Sequence, residues 1–183
     1  MYNKSKNHQV IYSLNSLSNS LLKLLRTNNI NDITITEICA DANLSRKTFY
    51  RNCETIIDLV IYKIEKLIYI LQDNTDWKSN DDHKLYTNFF NYWYNEKDFL
   101  IILKEQNLFH LFIHHFNVII QSASYPFLDN VLENSENNEN TKVFYNAFIV
   151  GGLSYVLQQW TNNNFQTSIQ TLIDTMKIFV PNH

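Results

Sequence analysis

A chain of 183 residues has room for one compact domain or for a small head joined to a larger body. Two glycines and two prolines leave few of the breakers that tight turns and hairpins need, so the composition disfavours β-architectures and points to an all-α fold. The net charge of −3 is unevenly divided: residues 1–69 carry nine Lys and Arg against six Asp and Glu, and residues 70–183 carry six against twelve. An acidic protein with this distribution still has a basic end to offer phosphate.

Met1 to Asn7 are polar and lead into no apolar signal segment. Val10, Leu14, Leu17, Leu21, Leu24 and Leu25 then recur every three or four residues, predicting an amphipathic first helix that ends near Asn28 and Asn29. Thr34 and Glu37 have the spacing of a capping box, in which each side chain satisfies the other's free backbone donor. A second helix follows to about Ala42. Asn43 tolerates the left-handed conformation that ends a helix sharply, and Ser45 offers the N-cap of a short third helix, Arg46 to Asn52. The fourth helix is expected from near Glu54 to about Gln72, with Ile57, Val60, Ile61, Ile64, Leu67, Ile68 and Leu71 as its apolar stripe.

Two short helices joined by a tight turn, with Ile38, Cys39, Ala42, Leu44 and Phe49 facing one another, make a helix-turn-helix. The exposed side of its second helix carries Arg46, Lys47, Thr48, Tyr50 and Arg51, a mixture of cations for phosphate and groups able to reach base edges. From Ile33 to Leu59 the sequence resembles the signature of the TetR (tetracycline-repressor) family, and the resemblance extends over roughly residues 8–70. It implies that Thr36, Ser45, Lys47, Thr48, Tyr50 and Asn52 lie at the DNA surface. It also implies a dimeric cytoplasmic regulator that binds a pseudo-palindromic double-stranded operator. Three residues depart from the family pattern: Cys53 stands where Phe is usual, Ile56 where a phosphate-contacting Lys is usual, and Asn43 where Gly is usual.

The chain turns polar from Asp73 to Asp82, which sets the expected division: residues 1–53 as the DNA-binding head, 54–72 as a connecting helix, and 73–183 as an effector-binding and dimerisation body. Helices are predicted at 82–95, 98–105, 108–123, 140–161 and 165–180, about nine in the whole chain, with a mobile loop at 130–140. The greasiest stretch, Leu108 to Ile120, is interrupted by His110, His114, His115 and Asn117, so no membrane span is expected.

Twenty of the 26 aromatic residues follow residue 70. Most are ordinary core, but the resemblance implies an effector pocket within the body, and Phe89, Trp93, Phe112, Phe116 and Tyr145 are its expected walls. His110, His114, Asn117 and Gln121 form one polar stripe, facing either solvent or that pocket, with His114 as its expected polar contact. The two histidines lack a third ligand, so no metal is expected.

Phe148 to Trp160 resembles the penultimate helix of a family subgroup common in low-GC Gram-positive bacteria. Gly151 and Gly152 sit inside this helix, each at a cost of about 1 kcal/mol relative to Ala, which calls for a close approach by another helix. That helix belongs either to a second subunit or to the same body. The family's dimerisation through its last two helices favours a second subunit, with Ala147, Gly151, Tyr155, Gln159, Leu172, Ile173 and Met176 at the interface.

No catalytic triad order, phosphate loop or paired carboxylates stand out, so neither an enzyme nor a cofactor is expected. Cys39 and Cys53 read as buried thiols rather than a disulfide or a redox switch. The functional expectation is a repressor whose operator binding responds to a small organic effector. The alternative is a co-activator or adaptor of the same fold that works through a protein partner, its DNA contact weakened by Ile56.

Overall fold

The computed structural model describes residues 7–75, 82–122 and 139–179. Among these residues are nine α-helices, one 3-10 turn and no strand. The helices are α1 (His8–Leu24), α2 (Ile35–Asp41), α3 (Arg46–Asn52), α4 (Ile57–Asn74), α5 (Asp82–Asn95), α6 (Lys97–Glu105), α7 (Phe109–Ser122), α8 (Glu139–Asn162) and α9 (Ile169–Phe179), and the 3-10 turn is Ile30–Asp32. The loop expected at 130–140 lies outside the described residues up to position 138, while Glu139 and Asn140 belong to α8. No helix among the described residues is long and apolar enough to cross a membrane.

Local chemistry sets the boundaries. The Asn7 side chain accepts from Gln9 N at 2.9 Å and starts α1. The Thr34 capping box is complete, with Glu37 N donating to Thr34 Oγ1 at 3.2 Å and Thr34 N to Glu37 Oε2 at 2.8 Å. Asn43 adopts φ 52°. Leu44 N then reaches back to Cys39 O at 2.9 Å and Asn43 N to Ala40 O at 3.2 Å, the paired bonds of a Schellman ending. Ser45 Oγ accepts from Thr48 N at 3.1 Å and opens α3.

Three boundaries differ by more than two residues from the sequence expectation. α1 ends at Leu24 rather than near Asn28 and Asn29, because the chain tightens into turns in which Arg26 N donates to Lys23 O at 3.4 Å and Thr27 N to Leu24 O at 3.2 Å. α4 begins at Ile57 rather than near Glu54 because the Asp58 carboxylate accepts from Glu54 N at 2.8 Å and Thr55 N at 2.9 Å, holding those residues in a turn. α9 begins at Ile169 rather than at 165 because Phe165 has φ 59° and Trp160 Nε1 donates to Thr167 O at 2.8 Å across the corner.

α1 packs on α2, α3 and α4; α4 continues onto α7, α7 onto α8, α8 onto α6, and α9 onto α5. One apolar cluster runs through both ends of the molecule, from Leu17, Leu21, Phe49 and Leu59 to Trp93, Phe112, Leu157 and Ile173. α4 is the spine. Toward α1 it receives the Ser18 hydroxyl on Leu59 O at 3.2 Å and places Tyr62 Oη 3.1 Å from Asn15 Oδ1. Toward α5 its Leu67 O accepts from Tyr92 Oη at 2.6 Å.

Candidate nucleic-acid interface

Phe49 and Ile38 are fully buried and Cys39 nearly so, which pins α3 across α2 and α1 and leaves the opposite side of α3 free. Thr36, Ser45, Arg46, Lys47, Tyr50 and Arg51 are exposed, and Thr48 and Asn52 are half-buried. Tyr50, 53% exposed, stands out from the surface. The Phe49 ring meets it edge-on at 5.4 Å, and the Arg46 guanidinium lies 6.0 Å from its centroid. The eight expected residues thus share one end of the molecule, but in two roles. Ser45 and Thr48 spend their hydroxyls on the helix start, 3.0 Å apart, and Asn52 Nδ2 donates back to Thr48 O at 2.8 Å. Arg46, Lys47, Tyr50 and Arg51 keep their polar ends outward.

The nearby acids are engaged. The Thr34 hydroxyl and N–H hold the Glu37 carboxyl below the usual range, and Lys23, with Ser20, does the same for Asp41. Ile56, in place of the usual Lys, is half-buried and packs against the core, so it offers nothing to phosphate. Cys39 and Cys53 are free thiols, both buried. Burial pushes the Cys53 thiol up to about 12 and raises Cys39 as well, which keeps both as thiols at neutral pH.

In the body, the expected pocket walls meet ring against ring. Phe89 lies 5.8 Å from Phe116, Trp93 4.8 Å from Phe112 at a right angle, and Phe112 stacks on Phe116 at 5.5 Å. Trp93 and Phe112 are 0% exposed, so no water-sized space touches either ring. The Trp93 indole N–H donates to no polar atom among the described residues. His114 and His110 face solvent, and Asn117 bonds back to Ile113 O at 2.7 Å, so this part of the polar stripe does not line the aromatic cluster. The side chains of Tyr145 and Gln121 lie outside the described residues.

Open volume occurs elsewhere. A groove of about 250 Å³ lies beside Tyr86, Phe148, Gly152 and Met176, and one of about 290 Å³ beside Tyr155, Gln159, Trp160 and Leu172. A cleft of about 320 Å³ lies between α1 and α6, beside Lys63 of α4. Of the residues expected at a dimer interface, Ala147, Tyr155 and Gln159 are exposed, Gly151, Leu172 and Met176 half-buried, and Ile173 buried in the subunit's own core. A Cβ added at Gly151 or Gly152 would meet no atom within 4 Å among the described residues, so none of the described helices closes on them. One functional candidate escaped the sequence reading: Gln106, at the end of α6, whose amide reaches three backbone groups of the head.

Residues 80–182 match the family model for a transcriptional regulator C-terminal region of TetR type. The chain belongs to the TetR family of transcriptional regulators. Among solved structures this TetR-family chain is similar to Lin0861 from Listeria innocua, at 14% identity and a TM-score of 0.75, over 96% of this chain and 93% of that one. It is also similar to the dihydroxyacetone kinase operon activator DhaS, at 15% identity and a TM-score of 0.63, over 92% of this chain and 94% of that one. At such identities the likeness is one of fold. The sequence has no significant match among curated proteins.

Proposed function

We propose that this TetR-family regulator binds a pseudo-palindromic operator as a homodimer, acts as a repressor, and releases DNA when a small organic effector occupies its body. The outward face of α3 carries the DNA reading: Arg46, Lys47, Tyr50 and Arg51 are exposed together above a fully buried Phe49, on a helix suited in size and mounting to the major groove. The test is a gel shift on genomic fragments selected by the wild-type protein. Lys47→Ala and Tyr50→Ala are each expected to weaken specific binding about tenfold or more, as loss of a base or phosphate contact does, with fold and dimer unchanged. Wild-type affinity in both variants overturns the assignment.

Two observations support the finer parts. Val143, Phe144, Phe148 and Tyr155 on α8 are 58, 75, 63 and 59% exposed, an apolar face that a second subunit would cover. The N–H of Trp93, buried among aromatic rings and without an acceptor among the described residues, is a costly group that an effector's acceptor atom would satisfy. Such an effector must part the rings, so Trp93→Phe, which removes the donor and keeps an aromatic ring, is expected to blunt the effector response while leaving operator binding in its absence intact.

A second reading has its own support: Ile56 withholds one phosphate contact, and a similar fold serves in an operon activator. An adaptor that works through a protein partner would retain no specific fragment in the selection, and Lys47→Ala would then leave regulation in the cell unchanged.

A further inference from the structure

α6 ends in a second Schellman turn. Asn107 has φ 57°, Leu108 N donates to Leu103 O at 2.7 Å, and Asn107 N to Lys104 O at 3.1 Å. The turn aims the side chain of the C-cap residue, Gln106, away from its own helix and onto the segment between α1 and the 3-10 turn. Its Oε1 accepts from Ile30 N at 2.9 Å, while Nε2 donates to Leu25 O at 3.3 Å and to Asn28 O at 3.1 Å. The amide orientation follows from these partners, since the N–H of Ile30 must meet the oxygen and the two carbonyls must meet the NH2. The groups held are those a helix end leaves over: Leu25 is the C-cap of α1, and Ile30 opens the 3-10 turn. Gln106 therefore caps α1 from across the seam between head and body.

The remaining bridges on this seam are weaker in direction. Arg26 and Asp98, at the other end of α6, are 3.6 Å apart, and their side chains are 65% and 71% exposed, where an ion pair fixes little. Lys63 and Glu96, 3.5 Å apart, join α4 to the start of α6. On its far side α6 packs against α8, and Lys104 Nζ donates to Asn164 Oδ1 at 2.8 Å in the turn after α8. α6 is thus a strut between the helix proposed to form the dimer and the end of α1, and Gln106 is its only three-point attachment to the head among the described residues.

We infer that Gln106 is a positioning residue that fixes the angle of the DNA-binding head on the body, and through it the half-site separation the dimer accepts. The inference rests on the dimeric DNA-binding reading above. Its chemistry is specific. Glu keeps an acceptor for Ile30 N but turns a carboxylate toward two carbonyl oxygens, and Met fills a similar volume with no donor and only a weak acceptor.

Two measurements on the full-length dimer test it. The first needs no DNA: amide hydrogen exchange at Ile30 is expected to accelerate about tenfold in Gln106→Met, the equivalent of one lost hydrogen bond, and by less in Gln106→Glu. The second uses the operator recovered by the wild-type protein, together with versions whose half-sites are moved one base pair apart or together. Wild type is expected to discriminate against the altered spacings, and Gln106→Met and Gln106→Glu to lose most of that discrimination while keeping wild-type affinity for an isolated half-site. Unchanged exchange at Ile30 in Gln106→Met overturns the inference. So does faster exchange with a lowered melting temperature but undiminished spacing discrimination, which would make Gln106 a stabilising residue only. If wild type retains no DNA, the functional reading fails instead and the joint itself is still judged by Ile30 exchange.

Discussion

At the scale of single residues, this protein gives to asparagine work that glycine usually does. Asn43, Asn107 and Asn164 have φ of 52°, 57° and 56°, and each ends a helix. After each, the next N–H reaches back to the helix, Leu44 to Cys39 O, Leu108 to Leu103 O and Phe165 to Trp160 O. Both glycines instead lie inside α8, and neither has a positive φ. The left-handed region penalises any residue with a Cβ by about 1–2 kcal/mol, less for Asn, whose short amide bonds locally. Asn43→Gly is therefore expected to hold or raise the unfolding free energy by up to about 1 kcal/mol, and Asn107→Val to lower it by about 1–2 kcal/mol, both read from urea denaturation. A Gly variant clearly less stable than wild type would mean that the Asn43 side chain makes a contact that matters more than its backbone. Phe165, also left-handed at φ 59°, is bulkier and is held there by its ring against Trp160 at 5.0 Å and Tyr94 at 5.9 Å. The two thiols offer a second residue-scale test. With Cys39 and Cys53 buried and their thiolates disfavoured, alkylation is expected to follow global unfolding, and rapid modification of the native protein would contradict this.

At the scale of elements, α4 and α7 carry a half-buried ionisable pair across their contact, with His115 Nδ1 3.2 Å from Glu65 Oε1. Burial, the largest influence, holds His115 below the usual imidazole range; Glu65 pulls it upward and His114 adds to the depression. Below the ordinary value of about 6.5 the unfolded chain takes up a proton that the folded chain refuses. Stability is therefore whole above that pH and falls as pH drops toward the folded value. Melting temperatures measured from about pH 7.5 to about 5 should decline less steeply in His115→Gln than in wild type, and parallel curves would show the pair to be silent. Nothing in the sequence singled out this pair, because a His and a Glu fifty residues apart carry no mutual spacing signal. What could be read were features with a local cause: the Thr34 box, the Asn43 turn, the Ser45 cap and the apolar stripes of α1 and α4 each follow from neighbours in sequence. The outward face of α3 followed from the same periodicity. The start of α4 did not, because Asp58 competes for the N–H groups of Glu54 and Thr55. The lining of a cavity and the filling of a core use the same aromatic residues, so the sequence placed Phe89, Trp93, Phe112 and Phe116 inside the body as pocket walls, whereas in the subunit they pack ring against ring. Gln106 acts through three contacts 76 to 81 residues away, and no local pattern encodes them.

At the scale of the whole molecule, α8 is the helix whose surroundings are incomplete. Val150, Ser154, Leu157, Trp160 and Thr161 face inward and are buried, while Val143, Phe144, Ala147, Phe148 and Tyr155 face outward and are exposed. A helix apolar on all sides belongs in an interior, and within one subunit only half of this one is interior. The grooves beside Phe148 and Gly152 and beside Tyr155 and Leu172 run along the same surface and would receive side chains of a partner. Gly151 gives this a test with a sign. An added Cβ there meets nothing among the described residues of its own subunit, so in a monomer Gly151→Ala should be stabilising by about 1 kcal/mol through helix propensity alone. If a second α8 closes on that position, the same methyl meets the partner, and the dimer weakens although the subunit is more helical. Gly151→Leu makes the contrast larger: overpacking of about 1–3 kcal/mol corresponds to a roughly 5- to 150-fold rise in the dimer dissociation constant. Because the substitution has open space on its own side, it should leave the subunit folded, which separates loss of assembly from loss of structure. Sedimentation of both variants, with melting curves at two concentrations, decides the matter. Dissociation that follows Ala to Leu places Gly151 in the interface, and an undisturbed dimer with a raised melting temperature in Gly151→Ala would move the interface to another face of the molecule.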